Sequence, residues 1–295
     1  MQLLYMMIAV LLALVRTSIV VENEGRDTWR HKVTNMVGGI EKTAVMILIK
    51  KIDVALGREI FQYTCAGTII HQEYVLTTAH CLDNVALDDI LVVAGENDMT
   101  KIYNMTTMEV ITNGDASSHK VKRIAIHPQY LESPELHLDI ALLELKSRIV
   151  LDRNTELARL PPPGINAYNN KDVNEGGWGY ARKLPTVKRF VKYPNIPNKF
   201  EVERDVDCTR IFEAKSINFS PGLELCANEK GKISGDGFYG GGLIYRGWEY
   251  PIILAIHTAT SDGTKVYRKT EDVLSWIDME ANIRFYLSKI YCTGC

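Results

Sequence analysis

The sequence holds no surplus of positive charge. Its 295 residues sum to a net charge of -2, which leaves no basic footprint for nucleic acid and removes that class of partner. It has no internal repeat and no low-complexity segment, so repeat architectures are excluded. Nor does it hold an apolar run of the roughly 20 residues that a spanning helix needs. Leu3 to Val15 comes nearest, broken by Tyr5 and closed by Arg16-Thr17-Ser18. Its length suits the core of a signal peptide, although Lys and Arg are missing ahead of it. Residues 1–18 are therefore expected to be a signal peptide and residues 19–35, polar and free of cysteine, a short leader or propeptide. Residues 36–295 are expected to form one secreted, extracellular domain without a membrane span.

What is present agrees with that route. Hydrophobic residues make up 46% and charged ones 24% of the chain, an ordinary globular balance able to build a core. Six cysteines fit an oxidising compartment, and their number alone does not choose the pairing. Two N-x-Ser/Thr triplets, at Asn104 and Asn218, are candidate glycosylation sites on exposed loops.

Short β-branched runs follow one another: Ala44 to Ile49, Thr64 to Ile70, Tyr74 to Thr77, Ile90 to Ala94 and Val121 to Ile126. Gly, Pro, Asn and Asp separate them, which predicts an all-β sandwich or barrel. Leu138 to Leu145 reads as a further apolar strand with Asp139 at its mouth, and Gly176-Gly177-Trp178-Gly179 as the start of a second set. Leu160 to Pro163 and Lys183 to Lys199 read as connections. At the end, Val273, Trp276, Ile277, Ile283, Leu287 and Ile290 recur at helical spacing, with Thr270 as a cap, predicting a C-terminal amphipathic helix.

Tyr74 to Cys81 delivers His80 beside a cysteine. A histidine placed by a strand is a candidate general base that needs a nucleophile and an orienting acid. Thr78-Ala79-His80-Cys81, Asp139-Ile140-Ala141-Leu142-Leu143, Gly177-Trp178-Gly179 and Met36-Val37-Gly38-Gly39 together resemble the motifs of the chymotrypsin-like (trypsin-fold, S1) serine proteases, over roughly residues 36 to 290. The resemblance implies two antiparallel six-stranded β-barrels with the site between them, with His80 and Asp139 at two catalytic positions. It also implies disulfides pairing Cys65 with Cys81 and Cys208 with Cys226.

The third position departs from the family. Its Gly-Asp-Ser-Gly-Gly-Pro-Leu segment corresponds here to Gly237-Phe238-Tyr239-Gly240-Gly241-Gly242-Leu243, which puts Tyr239 where the serine belongs. A phenol is bulkier and differently directed, and is not a competent acyl-transfer nucleophile. The alternative register through Gly235-Asp236 places Gly237 there and also yields no serine. Ser234 is the nearest hydroxyl, too far along the chain to serve.

In the family, the amine of the cleaved chain pairs with the Asp before the serine and so orders the oxyanion hole. Phe238 stands at that position. Asn35, not Arg or Lys, precedes Met36, and Lys32 is the nearest base. Gly237 keeps the oxyanion-hole position, and Ile233 falls where the family often carries its specificity determinant.

The expectation is a serine protease homologue, with His80 and Asp139 retained as a hydrogen-bonded pair. It would bind extracellular proteins (proteases, inhibitors or substrate-like polypeptides) without cleaving them, and no metal or cofactor is implied. The alternatives are an atypical S1 endopeptidase and a structural secreted protein. Cys292-Thr293-Gly294-Cys295 lacks the further ligands of a zinc site and is expected to form a local or an intermolecular disulfide, the latter linking a dimer.

Overall fold

Strand β1 (Ala44–Asp53) shows why a continuous apolar run predicts a strand but hides which face is inside. Val45, Ile47 and Ile49 point into one cluster with Val75, Val92, Val121 and Leu143. Ala44, Met46 and Leu48 point the other way, against Val93 and Trp178. Both faces are buried, so period-two alternation is absent from the sequence although it governs the packing.

The structure is a computed structural model describing residues 41–53, 57–96, 102, 117–132, 138–162, 172–178, 198–202, 205–214, 219–229, 238–246, 249–261 and 264–282. The chain divides into two units, Met1–Ile40 and Glu41–Cys295, and every described residue belongs to the second. The signal-peptide and leader segments, Met36, Asn104, Ile233, Gly237, Asn218, Cys292 and Cys295 lie outside the described residues.

The first barrel continues with β2 (Arg58–His71), β3 (Tyr74–Thr77), β4 (Ile90–Ala94), β5 (Ser117–Ile126) and β6 (Ala141–Leu145), closing in the order β1-β2-β3-β6-β5-β4. The second consists of β7 (Asp172–Glu175), β8 (Asn198–Val202), β9 (Glu224–Glu229), β10 (Gly242–Tyr245), β11 (Ile252–Ser261) and β12 (Thr264–Lys269), in the order β10-β11-β12-β9-β8-β7. All ladders between these strands are antiparallel. The two closed six-stranded barrels are those expected from the sequence, and closure leaves neither sheet an open edge.

Several boundaries differ from the sequence reading. The hairpin of β1 and β2 is longer than its apolar centre, because Lys50 and Lys51 pair with Phe61 and Ile60 beyond the point where burial ends. Gly176-Gly177-Trp178 follows β7 rather than opening a strand, and β8 begins within the stretch read as connection. Leu138 to Ile140 precede β6 as irregular chain.

Besides α1 (Pro128–Glu132) there is an unanticipated helix, α2 (Asp205–Glu213), which buries Cys208 and Phe212 one turn apart against Cys226 and Val266. Thr270 does not cap the C-terminal helix. Its hydroxyl donates to the carbonyls of Ile253 and Leu254, at 2.8 and 3.0 Å. A 3-10 turn over Glu271–Val273 therefore comes first, and α3 covers Leu274–Ala281, ending at the left-handed Asn282. Ile283, Leu287 and Ile290 lie outside the described residues.

Helix α3 follows the second barrel in sequence but packs on the first. Trp276, Ile277 and Ala281 are buried with Ile70, Leu76 and Leu142. Tyr74 donates its hydroxyl to the Ala281 carbonyl at 3.0 Å, and Arg123 pairs with Glu280 at 2.7 Å. Burial of each large apolar side chain here contributes roughly 1.5–3 kcal/mol, so the helix fastens the two halves of the domain.

Candidate functional site

Antiparallel pairing brings the histidine and its acid together. Thr77, the last residue of β3, pairs with Ala141, the first of β6, so the chain leaving β3 and the chain entering β6 lie at the same barrel end. His80 opens a 3-10 turn, His80–Leu82, closed by Leu82 N–H to Ala79 O at 2.8 Å. Cys81 in that turn is bonded to Cys65 of β2, with 6.2 Å between the Cα atoms. The disulfide holds the turn against the barrel wall.

Asp139 receives both donors that His80 offers on that side. The backbone N–H reaches Oδ1 at 2.8 Å, and Nδ1 lies 2.5 Å from Oδ2. Two-point attachment fixes the ring's position and leaves Nδ1 as the protonated nitrogen facing the carboxylate. The His80 side chain is 36% exposed and that of Asp139 15%. Burial alone would lower the His80 pKa, but the hydrogen bond and charge of Asp139 outweigh it and hold the pKa above its ordinary value.

Tyr239 arrives from the second barrel on a turn that only glycines permit. Gly240 has φ +81°, and a Cβ there would stand 2.2 Å from Thr77 Oγ1 and 2.3 Å from the Ala66 carbonyl oxygen. A Cβ on Gly242 would stand 2.5 Å from Thr68 Oγ1. These close approaches bring the segment onto β2, where Ala66 N–H donates to Tyr239 O at 2.8 Å. Gly240 N–H donates to His257 O at 2.9 Å, tying the other side to β11.

The Tyr239 ring consequently stands 5.4 Å from the His80 ring, edge to face at 82°. On its other side the His257 ring lies 5.1 Å away, and Tyr267 lies 5.2 Å beyond that. Tyr239, the residue that one sequence register aligns with the serine, therefore stands beside His80, and Gly237, which the other register aligns there, lies outside the described residues.

Beneath Tyr239 lies a charged cluster that the sequence reading missed. Glu175 at the end of β7 pairs with Lys265 of β12, both side chains being fully buried. His257 Nδ1 lies 2.8 Å from the other Glu175 oxygen, while its Nε2 lies 2.8 Å from Thr260 Oγ1. Burial opposes ionisation of Glu175, yet the charges of Lys265 and His257 hold its pKa below the usual carboxylate value. Burial pushes the His257 pKa down, with Lys265 adding to it against Glu175. The available sequence signal was His257 directly after the apolar run Ile252 to Ile256, since a buried polar side chain requires partners.

Cys65, His80 and Cys81 bring potential ligand atoms within 4.8 Å of one another. Both sulfurs belong to the disulfide, so neither is a thiolate and the trio does not fit a metal ion. Cys208 in α2 and Cys226 in β9 form the second expected disulfide, with Cα atoms 5.8 Å apart. Among the described residues, no helix is long and apolar enough to cross a membrane.

The sequence model of the trypsin family matches residues 51–277. Masquerade from Drosophila melanogaster is 28% identical over 235 residues, covering 76% of this chain and 21% of that protein. Chymotrypsin-like elastase family member 1 from Canis lupus familiaris is 33% identical over 137 residues, covering 46% of this chain and 48% of the elastase. Serine protease 7 from Drosophila melanogaster is 26% identical over 269 residues, covering 84% of this chain and 65% of its own length. The chain thus spans about a fifth of masquerade and about half of the elastase.

Proposed function

The chain belongs to the trypsin family, and we propose that it serves there as a secreted homologue that binds polypeptides without cutting them. The observation that carries this reading is Tyr239, whose ring stands beside His80 and which the family resemblance aligns with the serine. A serine hydroxyl sits one bond from Cβ, whereas a phenol carries its oxygen across a whole ring. A base aligned on a short side chain therefore has no equivalent proton to take. His80 and Asp139 remain joined because a histidine held by a carboxylate is a stable arrangement without any substrate. The partners are extracellular proteins: proteases, inhibitors or substrate-like polypeptides. A cleft shaped for an extended chain retains affinity for one when chemistry is lost.

The well-aligned His80–Asp139 pair favours one other reading, an S1 endopeptidase that draws its hydroxyl from elsewhere. A fluorophosphonate probe, which bonds covalently to activated serines, separates the two. Purified secreted protein is expected to remain unlabelled, and to bind members of a random peptide library saturably while mass spectrometry recovers them uncut. Stoichiometric labelling, or cleaved peptides, would overturn the proposal.

A further inference from the structure

The family arrangement places a chain-terminal ammonium against the residue at position 238, and that residue here is an apolar ring. An ammonium is nevertheless present. Lys265 Nζ sits 4.2 Å from the centroid of the Phe238 ring, at a distance where a cation is attracted to an aromatic face. We propose that Lys265 is a built-in replacement for the terminal amine: with Glu175 it sets the Phe238–Tyr239 segment, so the site is assembled without cleavage ahead of Met36.

Three features carry this assignment. The first is position. Phe238 is wedged between Lys265 and the Gly177 backbone, where an added Cβ would come within 2.4 Å of the Phe238 ring. Neither neighbour can move without moving the residue that leads directly into Tyr239. Gly241 N–H donates to Phe238 O at 2.9 Å, closing the turn between them.

The second is charge. Glu175 faces Lys265 with Oε2 and His257 Nδ1 with Oε1, so both of its oxygens already face nitrogen. A second ammonium brought to Phe238 would find the positive charge of Lys265 and no carboxylate on residue 238. An unpaired buried charge of that kind is strongly unfavourable, and Lys265 already holds a cation against the Phe238 ring.

The third is connectivity. Glu175 and Lys265 lie on β7 and β12, which are not neighbours in the barrel order. Their ion pair therefore crosses the barrel interior and joins strands that no ladder joins. It is formed entirely by residues after Glu41.

The test is a full-length chain in which residues 30–35 are replaced by the recognition sequence of a site-specific protease that leaves Met36 as the new terminus. Thermal midpoint and the imidazole proton resonances of His80, which sense the Tyr239 ring current, are compared before and after complete cleavage. Both are expected to be unchanged, the midpoint within about 1 °C. A midpoint raised by cleavage, or His80 resonances that move, would overturn the proposal.

A second measurement uses the uncleaved chain alone. The paired substitution Lys265→Met with Glu175→Gln removes the charges together. It is expected to shift the His80 resonances, because the Tyr239 ring loses its support. Leu225→Ala, a core truncation in the same barrel, is the control and is expected to lower the midpoint without that shift. His80 resonances untouched by the paired substitution would show that Lys265 does not position the site.

Discussion

The two barrels share a strand plan but not an interior. Among the described residues, the strands of the first bury no Asp, Glu, Lys or Arg, and their buried polar side chains are Thr68, Thr77 and His119. The strands of the second bury Glu175, Glu224, Lys265, Arg268 and Lys269, with His257 among them. The first barrel is held by apolar packing and keeps the His80–Asp139 geometry that such packing supports. The second has an internal electrostatic framework directly under Tyr239. Charges buried in pairs tolerate change only in pairs, whereas an apolar interior answers to lost volume.

The largest expected effect tests that contrast. Lys265→Ala leaves the buried charge of Glu175 facing only the His257 ring, without its ammonium, and is expected to destabilise by about 3–5 kcal/mol in chemical unfolding. Lys265→Met combined with Glu175→Gln is expected to recover most of that loss. In the first barrel, Leu143→Ala, at a fully buried interior position, is expected to lose about 2–5 kcal/mol, and no second truncation recovers it. If the double variant of the second barrel is as unstable as Lys265→Ala, the two interiors do not differ in kind.

The next effect concerns the seam between the barrels. Gly240 and Gly57 both have positive φ, +81° and +63°, but a Cβ on Gly57 would meet nothing within 4 Å. Gly57→Ala is expected to incur only backbone strain, about 1 kcal/mol. Gly240→Ala adds collisions with Thr77 Oγ1 and the Ala66 carbonyl, so a loss of more than about 2 kcal/mol is expected, with displacement of Tyr239 from His80. Equal midpoints for the two variants would mean that the segment does not press on β2 as described.

The same contrast governs what could be read in advance. The first barrel was legible because its strands are apolar and β-branched, and because Thr78-Ala79-His80-Cys81 and Asp139-Ile140-Ala141 are short, contiguous signals. Tyr239 was locatable through its flanking glycines, whose positions are dictated by close approach to Thr77, Ala66 and Thr68. The Glu175–His257–Lys265 cluster was not legible, because its members lie on three strands and meet only after the second barrel closes. Helix α2 escaped because Val206, Thr209 and Ile211 are β-branched and Asp205 and Asp207 are weak helix formers. Its stability comes from burying Cys208 and Phe212, a tertiary fact. The C-terminal helix was foreseen in kind but its start was misplaced, since Thr270 gives its hydroxyl to β11 instead.

The smallest effect separates the barrels by the sign of their pH dependence. Asp139 raises the His80 pKa in the folded state against burial. The stabilisation from this linkage is fully present below the unfolded histidine pKa of about 6.5, and is lost as pH rises through the higher folded value. Asp139→Asn should therefore lower the thermal midpoint more at about pH 5.5 than at about pH 8.5. It should also bring the His80 imidazole titration below its present value, because burial then acts without its main opponent. Glu175 behaves in the opposite sense. Burial works against its charge, but Lys265 and His257 hold its pKa down, so its contribution is present above the unfolded carboxylate pKa and lost as pH falls through the folded value. A wild-type imidazole titration of His80 at or below that of a model peptide, or an Asp139→Asn loss that grows toward alkaline pH, would show that the pair in the first barrel is not the charged couple its geometry describes.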